Sequence, residues 1–341
     1  MFCFDAEGIH DFIVSAGKAI QSLAPFGYLA RKACRVSDSG LKTQVFNLSF
    51  DNPVGLAAGF DKNAELIDFF YDLGFGFLEV GSLSAIQSKG NAKPRISRLV
   101  KEEAVINNMG LPNAGIDVAL PMLYAKRAYP VGVNIAQSPN ARALELPADE
   151  LVEDVVYAFR KAALAADYIA LNISCPNLRA GKPFEDPNAL DALLKRLKMI
   201  NSKVPLLVKL SPDMQQQALE EIILACSARS VDGYVISNTK SLLQKDVTKG
   251  LSGAPIQSVS TGMIKRVYEL TDGKVPLIGV GGINSAVAAY EKIKAGASLV
   301  QLYTGLVYQG PLVAKMINKG LIRLLENDRF SSISGAVGKN A

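Results

Sequence analysis

The 341-residue chain has one histidine, no tryptophan and only four cysteines. The single imidazole, His10, lies far upstream of every glycine-rich motif. Serine–histidine hydrolysis and histidine-ligated metal catalysis need an imidazole at the chemistry, so neither is expected, and no metal ligands are assigned. Cys3, Cys34, Cys175 and Cys226 form no CxxC pair and no metal-type spacing. A reducing compartment follows, without disulfides and without an iron–sulfur cluster. No apolar run approaches the roughly 20 residues that span a bilayer. The start, MFCFDAEG, lacks the basic segment of a signal peptide. Basic residues are scattered despite the net charge of +5, so nucleic acid is not an expected partner.

What is present is a repeated unit. From residue 52 onward an apolar run, a turn bearing glycine or asparagine, and a helical pattern recur. The runs are VGLA (54–57), FLEV (77–80), VGVN (131–134), YIALN (168–172), PLLVK (205–209), YVISN (234–238), PLIGV (276–280) and LVQLY (299–303). Amphipathic stretches such as ALDALLKRLKMI (189–200) and AVAAYEKIKAGA (286–297) lie between them. Strands apolar enough to be buried on both faces, alternating with helices, predict an α/β fold: a (β/α)8 TIM barrel. The 49% hydrophobic content is ample for such a core.

Barrels of this kind carry their chemistry at the carboxyl ends of the strands. There the chain places AGFDK, GS, NISCPN, SNT, GVGG and YTG, and with them two lysines, Lys62 and Lys209, and four asparagines, Asn134, Asn172, Asn177 and Asn238. Turn residues alone do not require that concentration, so the rim is read as a site. The glycine loops 279–282 and 303–305 occupy the slot where barrels bind phosphate through backbone N–H groups.

The first fifty residues follow another pattern. Ile9, Phe12, Ile13, Ala16, Ile20 and Leu23 share one helical face, and Leu29 to Cys34 suggest a second, shorter helix beside Arg31, Lys32 and Arg35. Two readings stand: a helical cap plugging the bottom of the barrel, or a helical pair on an anionic membrane surface with a tunnel between its helices. The expected division is 1–44 for the helical extension and 45–341 for the barrel.

The stretches NPVGLAAGFDKN, LGFGFLEVGS, GNAKPRISRL, NISCPN, VKLSPD, GLSGAPI, PLIGVGGI and AGASLVQLYTGL follow one another in the order seen in dihydroorotate dehydrogenases. The resemblance spans about residues 45–325, and the frame, with the leader DAEGIHDF, looks most like the quinone-linked, membrane-associated class. It implies an FMN-bearing barrel that oxidises dihydroorotate to orotate in pyrimidine biosynthesis and passes electrons to a quinone. The implied location is peripheral, on the cytoplasmic side of the cell membrane, with no iron–sulfur subunit.

Carried over residue by residue, the resemblance implies flavin contacts from Ala58, Gly59, Ser82, Asn134, Asn172, Lys209, Ser237, Gly253, Gly282, Tyr303 and Thr304. Lys62, Asn107, Asn172, Asn177, Asn238 and Thr239 would surround the substrate. Cys175 is the expected base, because a thiol titrating near 8.5 supplies a usable thiolate fraction when a cation is near.

The chain departs from the quinone-linked pattern in places. Cys175, where that class has serine, and Gly181-Lys182-Pro183 resemble the soluble classes, as does Met109-Gly110-Leu111-Pro112-Asn113. Lys240 stands where that class has threonine. Fumarate or another soluble oxidant as acceptor, a different dihydropyrimidine as substrate, and a non-catalytic phosphate-binding barrel are the alternative readings.

Overall fold

The computed structural model describes residues 5–139, 148–175, 183–244 and 246–341. The eight apolar runs become β3 (Val54–Leu56), β4 (Phe77–Leu83), β7 (Val131–Ile135), β8 (Tyr168–Asn172), β9 (Leu206–Leu210), β10 (Gly233–Ile236), β13 (Leu277–Val280) and β14 (Ala297–Leu302). They close in the order β10-β13-β14-β3-β4-β7-β8-β9, every neighbouring pair parallel. The barrel expected from the sequence is the one found.

Alternation along each strand sorts residues into two cores. Phe77, Tyr168, Ala170, Leu207, Val235, Ile278 and Leu299 fill the barrel interior. Their neighbours in sequence, such as Leu78, Ile169, Val208, Ile236 and Val300, pack outward against the helices. Gly132 has no side chain because the Tyr168 ring lies across it; a Cβ there would sit 2.1 Å from that ring.

Two structures had no counterpart in the sequence reading. A hairpin of β1 (Thr43–Val45) and β2 (Leu48–Phe50) turns at Phe46 and Asn47, both at positive φ. Val45 and Phe50 join the interior cluster, with the Phe50 ring edge-on to Phe77 at 5.2 Å. This hairpin closes the amino-terminal end of the barrel, so the helical pair is not the bottom plug. At the opposite end, β5 (Ile96–Leu99), β6 (Ala104–Asn107), β11 (Lys240–Gln244) and β12 (Val247–Gly253) form an antiparallel sheet of order β11-β12-β6-β5.

The leader folds as α1 (Ala6–Gln21) and α2 (Ala24–Cys34). Asp5 caps α1 by accepting from Gly8 N–H at 2.6 Å. The pair lies along the flank of the barrel, against the helix Ile67–Asp72 and β5. Charge pairs fasten it: Glu7 with Arg95 (2.7 Å), Lys18 with Glu65 (2.6 Å), Arg31 with Asp72 (3.2 Å), and Arg35 with Asp51. Gly17 packs so closely that a Cβ would stand 2.8 Å from Leu66. Phe12 (68% exposed), Leu23, Tyr28 and Leu29 face away from the protein.

Candidate active site

The carboxyl ends of the strands and the antiparallel sheet above them enclose an open cavity. Of the residues nominated from sequence that the structure describes, all but Asn134 line it. Cys175, Lys62, Asn107, Asn172, Asn238 and Thr239 are there, as are Ala58, Gly59, Ser82, Lys209, Ser237, Gly253, Gly282, Tyr303 and Thr304. Asn177, Gly181 and Lys182 lie outside the described residues. Asn134 does not reach the cavity. It is fully buried one layer below, where Ser82 donates its hydroxyl to Asn134 Oδ1.

The NISC segment shows why its residue types are needed. Asn172 Oδ1 accepts from Asn238 Nδ2 (3.2 Å) and from the Ser174 N–H (3.2 Å), while Asn172 Nδ2 donates to Ser82 Oγ (3.1 Å). Ser174, fully buried, donates to the Lys209 carbonyl at 2.9 Å. Asn238 Nδ2 also donates to the Ser174 carbonyl at 3.1 Å. Asparagines on β8 and after β10 thereby lock the loop that carries Cys175, whose side chain borders the cavity and is 7% exposed. On the register, Asn172 pairs with Lys209, so the amide and the ammonium stand side by side on adjacent strands.

At the other side the glycine loops come together. Gly253 and Gly282 hold φ of +98° and +74°, a region costly for other residues. A Cβ would meet the Glu103 carbonyl oxygen at 2.2 Å in the first case and Gln257 at 2.5 Å in the second. Thr304 and Ser252 share a hydroxyl bond of 2.8 Å beside them. Bare backbone, two hydroxyls and Lys209 on the wall of one cavity fit a flat heterocycle with a phosphorylated tail.

Electrostatics single out Lys62. Burial is the largest influence on it and lowers its pKa to about 8. Its Nζ lies 3.4 Å from His10 Nε2, and that nitrogen is 2.8 Å from the Phe60 carbonyl. Burial, then Lys62, push the imidazole below its ordinary 6.5. The one histidine, far from the glycine-rich motifs in sequence, is not far in space: α1 folds back and brings it beside Lys62. Sequence separation carried no information about that distance.

His10 lines a second, mostly apolar cavity with Ile9, Ile13, Phe60, Phe69 and Leu306. Ile96, Val105 and Tyr303 border both cavities, and Arg98 supplies a cation to the second. The cavity runs between α1 and the barrel, not between the two helices as expected.

Beneath the first cavity a polar layer crosses the barrel that sequence reading did not nominate: Glu79, Tyr168 and Gln301, all fully buried. In the sequence FLEV and LVQLY each set a polar residue inside an apolar strand, but only the closed barrel brings these residues together.

Comparison with known proteins agrees with this geometry. The dihydroorotate dehydrogenase family model matches residues 40–325. A protein of Natronomonas pharaonis named dihydroorotate dehydrogenase (quinone) is 41% identical over 99% of this chain and 96% of its own length. One of Brucella abortus with the same name is 39% identical over 98% and 92%. The crystal structure of an Eimeria tenella dihydroorotate dehydrogenase in complex with ferulenol superposes with a TM-score of 0.86 at 29% identity, covering 98% of this chain and 96% of that one. Barrel, rim and relatives converge: the chain belongs to the dihydroorotate dehydrogenase family.

Proposed function

We propose that this protein oxidises dihydroorotate to orotate with FMN bound in the rim cavity, and delivers the two electrons to a quinone held in the cavity beneath α1. The observation that carries the reading is one cavity bordered by a thiol, two lysines and a set of amides, with an apolar cavity sharing its Tyr303 wall.

Orotate is a flat imide bearing a carboxylate, so its site must offer donors, acceptors and one cation together. Asn107, Asn172, Asn238 and Thr239 supply the first two. Lys62, still largely protonated at neutral pH, supplies the cation for the carboxylate. Oxidation removes a proton from C5 and a hydride from C6. Cys175, as thiolate, takes the C5 proton and gives it up to solvent after the product leaves, which restores the base. Bound FMN would supply the acceptor for the C6 hydride and the link to the quinone, so that dihydroorotate and quinone become orotate and quinol. Lys209 would offer the ring a fixed positive charge, and the backbone of Gly253 and Gly282 with Thr304 would hold the phosphate.

His10 and Arg98 offer polar contacts for a quinone head in an otherwise apolar channel. The outward apolar face of α1 and α2, next to Arg31 and Lys32, suits a membrane surface from which a quinone is drawn. Among the described residues no helix is long and apolar enough to cross a membrane, so the contact proposed is peripheral.

The test is turnover with dihydroorotate against two acceptors, a short-chain ubiquinone and fumarate. Faster turnover with the quinone supports the reading. Turnover with fumarate alone would move the protein to the soluble-acceptor reading that Cys175 and Met109–Asn113 suggest.

A further inference from the structure

Glu79 is a carboxylate with no exposure to solvent, placed at the centre of the barrel. Its Oε1 accepts from Asn134 Nδ2 on β7 at 2.8 Å and faces Lys209 Nζ on β9 at 3.8 Å. Its Oε2 accepts from the Tyr168 hydroxyl on β8 at 3.2 Å and from Gln301 Nε2 on β14 at 2.9 Å. One side chain on β4 thus gathers donors from four other strands.

Two physical consequences follow. An ammonium or a carboxylate buried without a partner is strongly destabilised, so Glu79 is what allows Lys209 to sit at the cavity floor. The second concerns direction. An ionised carboxylate only accepts, so Asn134 must turn Nδ2 toward Glu79 and Oδ1 toward Ser82. Ser82 then has to donate to Asn134, which leaves its oxygen to accept from Asn172 Nδ2. With its Nδ2 engaged, Asn172 turns Oδ1 toward Asn238. The charge at Glu79 sets the polarity of hydrogen bonds two layers above it.

We propose that Glu79 is a positioning residue for the redox group: it holds Lys209, orients Ser82 and Asn172, and offsets part of the positive charge that favours the reduced, anionic flavin. The proposal rests on FMN occupying the rim cavity.

Glu79→Gln keeps shape and removes charge. Gln301 can turn its amide to accommodate it, because its Oε1 has no partner in the present arrangement. With the offset gone, binding of reduced over oxidised FMN should rise about tenfold, an upward shift of about 30 mV for a two-electron couple. Glu79→Asp, which retains the charge, should stay at the wild-type potential. The potential is read by chemical reduction against a reference dye, so it needs no dihydroorotate. Failure of the substrate reading would instead appear as wild-type flavin that dihydroorotate does not bleach. A Glu79→Gln potential equal to or below wild type would overturn the proposal, and a wild-type protein that takes up no FMN would overturn both. Should Glu79→Gln lose FMN, its dissociation is compared in Lys209→Met and the double variant. If the ion pair is the cause, the double variant loses no more than Lys209→Met alone; additive losses would overturn it.

Discussion

At the scale of single residues, the account turns on a thiol and a buried cation. Cys175→Ser should slow flavin reduction by dihydroorotate roughly 10²- to 10⁴-fold, the usual contribution of a positioned base. The pH profile should move upward, since a hydroxyl is a weaker acid than a thiol, while FMN binding is kept. Stopped-flow reduction over a pH series checks both. Lys62 gives the second expectation. Its pKa of about 8 leaves it charged at pH 7 and neutral as the pH rises through that value. Affinity for orotate, an anion, should therefore fall between pH 7 and 9. Lys62→Met should remove that dependence and weaken binding by about 1.5–3 kcal/mol, as for a lost charged hydrogen bond. Titrations monitored by flavin absorbance measure it. Asp11, Glu7 and Asp61 favour the charged form of Lys62, and Arg95 opposes it. Legibility at this scale was uneven. The rim residues were readable because polar types at strand ends follow from the barrel itself. Glu79 was not, because a single acid inside FLEV reads as strand until the opposing donors of β7, β8, β9 and β14 are in place.

At the scale of elements, the eight barrel strands were legible for a plain reason. Each is buried on both faces and so is written almost wholly in apolar residues, with helix periodicity between them. The hairpin β1–β2 and the sheet β11-β12-β6-β5 were hidden because their strands are short and half-exposed. Segments such as ISRL and KSLLQ carry little alternation, and the pairing of β12 with β6 that unites the sheet joins residues more than a hundred positions apart. The hairpin nonetheless has a structural duty. Phe50 is buried against Phe77 at the closed end, so Phe50→Ala should cost about 3–5 kcal/mol in denaturant unfolding. At the open end, Gly282→Ala forces a Cβ onto Gln257 from a backbone at positive φ. FMN dissociation should quicken, with little change in the affinity for orotate of whatever holoenzyme remains.

At the scale of the whole molecule, α1 and the barrel enclose a second cavity that shares a wall with the first. The leader's helices were legible from their apolar periodicity, but their position was not, because it is set by charge pairs to residues far along the chain, such as Glu7 with Arg95. Phe12 and Leu29 are 68% and 60% exposed, and replacing both with serine should reduce co-sedimentation with anionic lipid vesicles. Dihydroorotate-dependent flavin reduction should remain unchanged in that variant, because neither residue lines the rim cavity. The most direct measurement is anaerobic mixing of the purified FMN-loaded protein with one equivalent of dihydroorotate, followed by its absorbance. The expected result is full loss of the yellow colour, and its return when a short-chain ubiquinone is added. A flavin left oxidised by dihydroorotate, or bleached equally well by the analogue lacking the carboxylate, would contradict the account.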